Sequence, residues 1–344
     1  MERNGQNMSK KRYYELDRQN ALFCLIVVFI HAFGTLAAKL DPSGCWYILS
    51  KAALKNCAFV VQGFMFLSAA KYTAAYMDRE FCFGKFLIGR IKKVIIPYVL
   101  CTLVYYIVFL NMGIVGEFNL KELGGYILRG DLSAQFYFII AIVQFYLLMP
   151  LWILIVKKLP SRTIITVGII IYALWMWRAF GYTVYYDRVF LSYFPFWVFG
   201  LAFGKNYDKY KRFIASHIGK ICGLYVLLFC INGFVGQIFT SNPYLLEVIH
   251  TVYAFGAIIL SHGILSGGRG MDGVLAKGIN KLSFEIYLWH CLILVIMDFY
   301  INKMKLPRIS QEIIMRVGGI YIVIFAASLF AGLLLKIKNK KRKR

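Results

Sequence analysis

Negative charge is what this chain has least of: 16 Asp and Glu stand against 40 Lys and Arg in 344 residues. Charged residues of either sign make up only 16% of the sequence, where soluble domains carry about 25%. That shortage excludes an ordinary soluble domain. Hydrophobic residues reach 60%, too many for a core of this length, so the surplus must face lipid. No linker, repeat or low-complexity stretch divides the chain, which reads as one module over residues 1–344. The 8 cysteines form no CxxC pair. Most lie in apolar runs, where Cys behaves as a small hydrophobe, so no disulfide or zinc framework is expected. The 5 histidines have no close ligand spacing, and no metal site is expected. In a soluble protein the net charge of +24 would point to nucleic acid. Here no basic stripe interleaved with aromatics lies outside the apolar runs, and cytoplasmic loops of membrane proteins collect Lys and Arg.

Ten apolar runs are present, near 20–38, 52–70, 94–112, 134–156, 163–180, 189–204, 221–239, 248–266, 282–300 and 317–335. A span needs about 20 residues to cross a hydrocarbon core of about 30 Å. The expected fold is therefore all-α, a polytopic transmembrane bundle of about ten spans, with kinks at Pro97 and Pro195. The first run lacks an A-x-A-like cleavage site and is expected to be retained as a span. With the N-terminus in the cytoplasm, 29 of the 40 Lys and Arg fall on the cytoplasmic side and 11 outside. Both termini are thus expected in the cytoplasm. The outer segment 303–316, with four basic residues, fits this arrangement worst. The tail KIKNKKRKR is expected to lie against anionic lipid headgroups.

Ionisable groups inside spans are costly and so mark candidate sites. His31 lies about 11 residues into the first run. At 100° and 1.5 Å per residue, Asn20 shares its face within about 20°, roughly 16 Å away, with Asp17 about 40° off and Arg18 on the far side. A polar stripe would then lead from one surface to a buried imidazole; the alternative is a His bonded to a neighbouring helix. Ser283, Tyr287 and His290 stand at spacings of 4 and 3 on one helix face, with Glu285 opposite. They either line a polar cavity or bridge to another helix. Arg90, Lys92 and Lys93 enter the third run, and such cations suit phosphate, although an ordinary cytoplasmic loop has the same composition. Gln135 and Tyr146, 11 apart, share a face of the fourth run. Glu247 and His250 have the spacing of an ion pair, and His217 and His262 read as interfacial. Trp175, Trp177, Tyr182, Tyr185 and Tyr186 read as an interfacial belt.

The segments ELDRQNALFCLIVVFIHAFG, VVQGFMFLSAA, FGKFLIGRIKKVIIPY, SAQFYFIIAIVQFYLLMP, FPFWVFGLAFG and KLSFEIYLWH together resemble, in order, the blocks of the acyltransferase 3 family of integral membrane acyltransferases. The resemblance implies a cytoplasmic acyl-CoA donor, usually acetyl-CoA, no bound cofactor, and a cell-surface glycan or its lipid-linked precursor as acceptor. It gives His31 the position of the family's first-span His, the candidate general base. Arg90 takes that of the third-span Arg, and His290 that of the late His after Ser283 and Tyr287. On this basis His31, His290 and Tyr287 are the candidate catalytic residues. Asn20, Arg90, Lys93 and Gln135 are candidates for the donor, and Ser283 and Tyr146 for the acceptor. Asn20 stands where the family often has Arg, Gln135 where it often has His, and Ser68-Ala69 replaces a Ser-Gly, marking a subset of the family. The expected partners are membrane lipids, the glycan or glycolipid acceptor, and proteins of glycan synthesis or export, with no nucleic acid. The expected location is the plasma membrane. A transporter of a glycan or lipid is the competing reading.

Overall fold

The computed structural model describes residues 13–238, 240–267, 273–306 and 308–341, and among them every regular element is helical. Helix α1 (Tyr14–Ala37) leads to α2 (Cys45–Cys57), α3 (Val60–Tyr76), α4 (Phe83–Arg90), a π-helical turn at Ile91–Ile95, and α5 (Ile96–Asn111). Next come α6 (Leu120–Arg129), α7 (Tyr137–Leu147), α8 (Met149–Lys158) and α9 (Ser161–Ala179). Two 3-10 turns, Tyr186–Arg188 and Phe190–Tyr193, open onto α10 (Phe194–Lys205), α11 (Tyr207–Ser216), α12 (Ile218–Ile238), α13 (Pro243–Gly267) and α14 (Val274–Met304). The chain closes with α15 (Ile309–Ile313), a second π-helical turn at Ile314–Gly318, and α16 (Gly319–Lys341).

Among the described residues, eight helical segments are long and apolar enough to cross a bilayer, and the bent pair α7–α8, taken as one span, makes a ninth. The chain is a multi-pass helical membrane protein. The run expected at 189–204 yields the 3-10 turn Phe190–Tyr193 and α10, whose 12 residues rise about 18 Å, shorter than a lipid-facing span. Helix α10 runs parallel to α3, with Gly200 against Phe66 and Gly204 against Ala70, and is the tenth segment of the bundle. All but two of its residues are buried, so it is apolar because it fills the bundle, not because it meets lipid. Hydropathy does not separate those two causes. The fourth run bends by 57° between α7 and α8, where Pro150 stands in the first turn of α8. Pro97 donates no hydrogen bond to the turn before it, and that turn is the π-helical Ile91–Ile95. Pro195 sits in the first turn of α10, where the missing N–H is not needed.

Several helices run past their apolar stretches because polar residues at their ends find partners. On α1, Asp17 pairs with Lys71 of α3 at 3.0 Å, and Glu15 with Lys211 of α11. Small residues then bring helices into close contact. A Cβ on Gly200 would sit 2.5 Å from the Phe66 carbonyl, and one on Gly204 2.5 Å from that of Ala70, so α10 lies directly on α3. Gly278 and Gly332 likewise press α14 and α16 together against the backbone of Ser328 and Val274. Helix α1 is wrapped by α2, α3, α13 and α14. Its contacts fix direction: Asn20 meets Ser283 and His31 meets His290, so α1 and α14 run parallel. Arg316 meets His31 and Tyr321 meets Leu25, so the segment entering α16 runs opposite to α1.

Candidate active site

The α1–α14 seam carries the first cluster. Asn20 donates both amide hydrogens to α14, to the Asn280 side chain at 3.0 Å and the Ser283 hydroxyl at 2.9 Å. One turn further, the Cys24 thiol points at the Ser283 carbonyl, 3.6 Å away. The stripe read from the spacing of Asn20 and His31 is therefore occupied by α14 over its first half. At its inner end the rings of His31 and His290 stand 5.1 Å apart, tilted by 53°.

The two imidazoles differ in their bonding. His290 is 1% exposed, and its Nδ1 lies 3.0 Å from the Ile286 carbonyl and 2.9 Å from that of Tyr287. Carbonyl oxygens only accept, so Nδ1 carries the hydrogen and Nε2 presents a lone pair. The Cys291 Sγ lies 3.3 Å from that Nε2. His31 is only partly buried, and among the described residues neither of its ring nitrogens makes a hydrogen bond. It is the imidazole of the pair whose ring nitrogens are both unused. The ligand atoms of His31, His290 and Cys291 all lie within 4.8 Å of one another. Histidine spacing hides this grouping, because its members come from opposite ends of the chain.

Arg316 backs His31. The residue as a whole is 4% exposed, and its guanidinium binds the Asp298 carboxylate at 2.5 and 2.9 Å. It also donates to the His31 carbonyl at 2.8 Å and to the Ala32 carbonyl, so it grips α1 at the turn that bears the imidazole. This explains why segment 303–316 fitted poorly as an outer loop: one of its four basic residues is inside the bundle.

Tyr287 and Gln135 meet behind His290. The Tyr287 hydroxyl donates to the Gln135 carbonyl. The Gln135 amide donates to the Tyr105 hydroxyl at 3.0 Å and to the Leu288 carbonyl at 3.2 Å, and accepts from Ser133 at 2.7 Å. Tyr105 in turn donates to the Leu288 carbonyl at 2.9 Å and accepts from the Leu292 N–H at 2.7 Å. Its hydroxyl thus bridges the donor and acceptor that one α-helical turn pairs, the turn that holds His290 and Cys291.

Arg90 forms a separate site at the end of α4. Its guanidinium carbon stands 5.4, 5.5 and 5.9 Å from the ring centres of Tyr72, Phe86 and Tyr146, within cation–π range. One of its terminal nitrogens donates to the Tyr72 hydroxyl at 2.5 Å, while the buried Nε has no partner among the described residues. Lys92 and Lys93 are exposed on the π turn that follows. Helix α7 links the two sites. The Phe138 ring packs 5.4 Å from that of Tyr287, and Tyr146 is eight residues on, about 12 Å along the axis.

The nine residues singled out by sequence therefore divide three ways. Asn20, Ser283, His31 and His290 share the α1–α14 seam, and Tyr287 and Gln135 brace it from behind. Arg90 and Tyr146 share the aromatic cage, with Lys93 beside it on the surface. Tyr105, Cys291, Asp298 and Arg316 were missed. Cys291 directly follows His290 in WHC, but inside an apolar run a Cys reads as a hydrophobe, and Arg316 reads as a loop charge. Tyr105 carried no signal among the 24 tyrosines. His262, expected at the interface, is 1% exposed and lies 3.3 Å from the Gln19 side-chain oxygen. His250 bonds to Asn232 at 3.2 Å, not to Glu247. In the expected belt, Trp177 and Tyr182 are exposed, whereas Trp175 stacks on Tyr186 and donates to Ser192.

Residues 13–336 match the acyltransferase 3 family, described as "Acyltransferase domain". The chain is also similar to "Probable poly-beta-1,6-N-acetyl-D-glucosamine export protein" of Staphylococcus aureus strain MSSA476, 25% identical over 312 residues, 85% of each chain. The protein of the same name from strain MRSA252 is 24% identical over 314 residues, again 85% of each. No solved structure matches the chain.

Proposed function

The chain belongs to the acyltransferase 3 family, and from that premise we propose that it is a single-module O-acyltransferase of the plasma membrane, with both termini in the cytoplasm. It moves an acyl group, acetyl in the first instance, from cytoplasmic acyl-CoA to a hydroxyl of a surface polysaccharide or its lipid-linked precursor. The observation that carries this reading is the His31–His290 pair, in which one imidazole is fixed and buried and its neighbour is partly exposed with both nitrogens free. An alcohol attacks a thioester only if a base accepts its proton, and a neutral imidazole, with a nitrogen lone pair to accept it, suits that role. His31 takes the proton. Arg316 holds the backbone that carries it, while Tyr287, Gln135 and Tyr105 hold the opposing turn of α14. The caged Arg90, with an unused Nε–H and two exposed lysines beside it, supports a phosphate-binding role toward the coenzyme. The names of the Staphylococcus relatives support a poly-N-acetylglucosamine-type glycan as the acceptor class.

Those names also favour a second reading, export of a glycan intermediate without acyl transfer. Membranes containing the protein, given acetyl-CoA and cell-derived glycan, separate the two. A transferase releases free CoA thiol and acylates the glycan, as read by mass spectrometry. His31→Gln, which keeps a polar side chain of similar reach, is expected to lower CoA release by about 100- to 10,000-fold. Full glycan acylation by a folded His31→Gln protein overturns the assignment of His31, and absence of CoA release by the wild type favours export.

A further inference from the structure

Resting on the acyl-transfer reading, we propose that Cys291 is a covalent way-station: the acyl group passes from the coenzyme to the Cys291 sulfur as a thioester and only then to the acceptor hydroxyl. Three observations converge on it. First, Sγ lies 3.3 Å from Nε2 of His290. Because Nδ1 of that ring faces two carbonyl oxygens, Nε2 is the bare nitrogen, and the thiol must be the donor. Thiol, imidazole and an orienting acceptor behind the imidazole form the arrangement that activates a nucleophile. Second, a free imidazole, His31, stands in the same cluster, with all three reactive atoms within 4.8 Å. A one-step transfer needs one base and leaves His290 without a task. A two-step transfer uses both, His290 for the thiol and His31 for the alcohol. Third, the Tyr105 hydroxyl spans the Leu288 carbonyl and the Leu292 N–H, so both residues lie in a turn held from outside the helix.

The steps balance. In the first, the Cys291 proton moves to His290 Nε2, the thiolate attacks the acyl carbonyl, the carbon–sulfur bond to the coenzyme breaks, and the departing CoA thiolate takes the proton from His290. In the second, His31 accepts the alcohol proton, the oxygen attacks the acyl-cysteine, its carbon–sulfur bond breaks, and the proton returns to the Cys291 thiolate. Exchange between two thioesters conserves the acyl group's reactivity. The intermediate therefore lets the coenzyme leave before the acceptor arrives, so donor and acceptor need never occupy the cluster together.

The test is trapping. Purified full-length protein is given acetyl-CoA labelled in the acetyl group without acceptor, quenched in acid and mapped by mass spectrometry. The expected result is label on the peptide bearing Cys291, released by neutral hydroxylamine. Cys222→Ser keeps this label. Cys291→Ala loses it and slows glycan acylation by about 100-fold or more. Cys291→Ser is nearly isosteric, so it guards against a folding defect, and it traps a hydroxylamine-resistant ester. CoA release on acceptor by a wild type that never labels, or transfer by Cys291→Ala within about threefold of wild type, overturns the way-station while leaving the transferase reading intact. Bound zinc that is lost in Cys291→Ala, with no label in the wild type, overturns it in favour of a metal site. Wild type that releases no CoA with acceptor present removes both readings.

Discussion

Asp298 and Arg316 are unequal partners. The Arg316 side chain is 5% exposed and that of Asp298 33%, so water reaches the carboxylate but not the guanidinium. Removing the acid strands a buried cation, for which losses of about 3–5 kcal/mol are typical. Removing the base leaves an anion that water can solvate. Asp298→Asn is therefore expected to lower the thermal midpoint in detergent more than Arg316→Met does, and the reverse order would contradict the burial described. Arg316→Met has a second effect that Asp298→Asn lacks, because it also releases the carbonyls of His31 and Ala32. Its loss of acyl transfer should exceed its loss of stability. These residues also show what a sequence withholds. His31 and His290 stood out because an imidazole in an apolar run is costly and conspicuous. Arg316 did not, because it stands one residue before the apolar run near 317–335 and looked like a loop. Its location depends on α1, some 285 residues away in the chain.

At the scale of helices, the runs of apolar residues located the elements but not their roles. Hydropathy measures avoidance of water, and α10, buried in protein, avoids water as thoroughly as α12, which faces lipid over most of its length. The spacing of Gly200 and Gly204 was the one local sign that α10 lies on another helix, since small residues four apart allow backbones to touch. Gly204→Leu would drive its side chain into the Ala70 carbonyl and the Thr73 side chain. It is expected to abolish the monodisperse peak in fluorescence-detected size exclusion. Gly219→Leu, where a Cβ meets nothing within 4 Å, should leave that peak unchanged. The face shared by Asn20 and His31 was legible from 3.6-residue periodicity, but the helix it meets was not. Periodicity states which residues point together and is silent about what they point at.

For the molecule as a whole, sidedness is carried by charge. The excess of Lys and Arg on alternate loops predicts that reporter fusions after Leu159 and Lys336 are active only in cytoplasmic-type assays. A fusion at Lys305 is expected to be active only in extracellular-type ones. An external reading after Lys336 would reverse the proposed access of acyl-CoA. The overall helical architecture was legible because lipid imposes it: backbone polar groups in hydrocarbon must bond within their own segment. The long-range pairing was not, because nothing local records which of several apolar helices becomes a neighbour.

That pairing has a consequence for how the protein is made. His31 and His290 are 259 residues apart, and chains grow at about 5–20 residues per second, so about 13–50 s separate their synthesis. During that interval α1 sits in or beside the bilayer with an amide whose hydrogen-bond partners, and an imidazole whose ring neighbour, have not yet left the ribosome. The His31–His290 pair is thus assembled last, and the nascent first helix depends on whatever shelters polar groups in a membrane until the last third of the chain arrives.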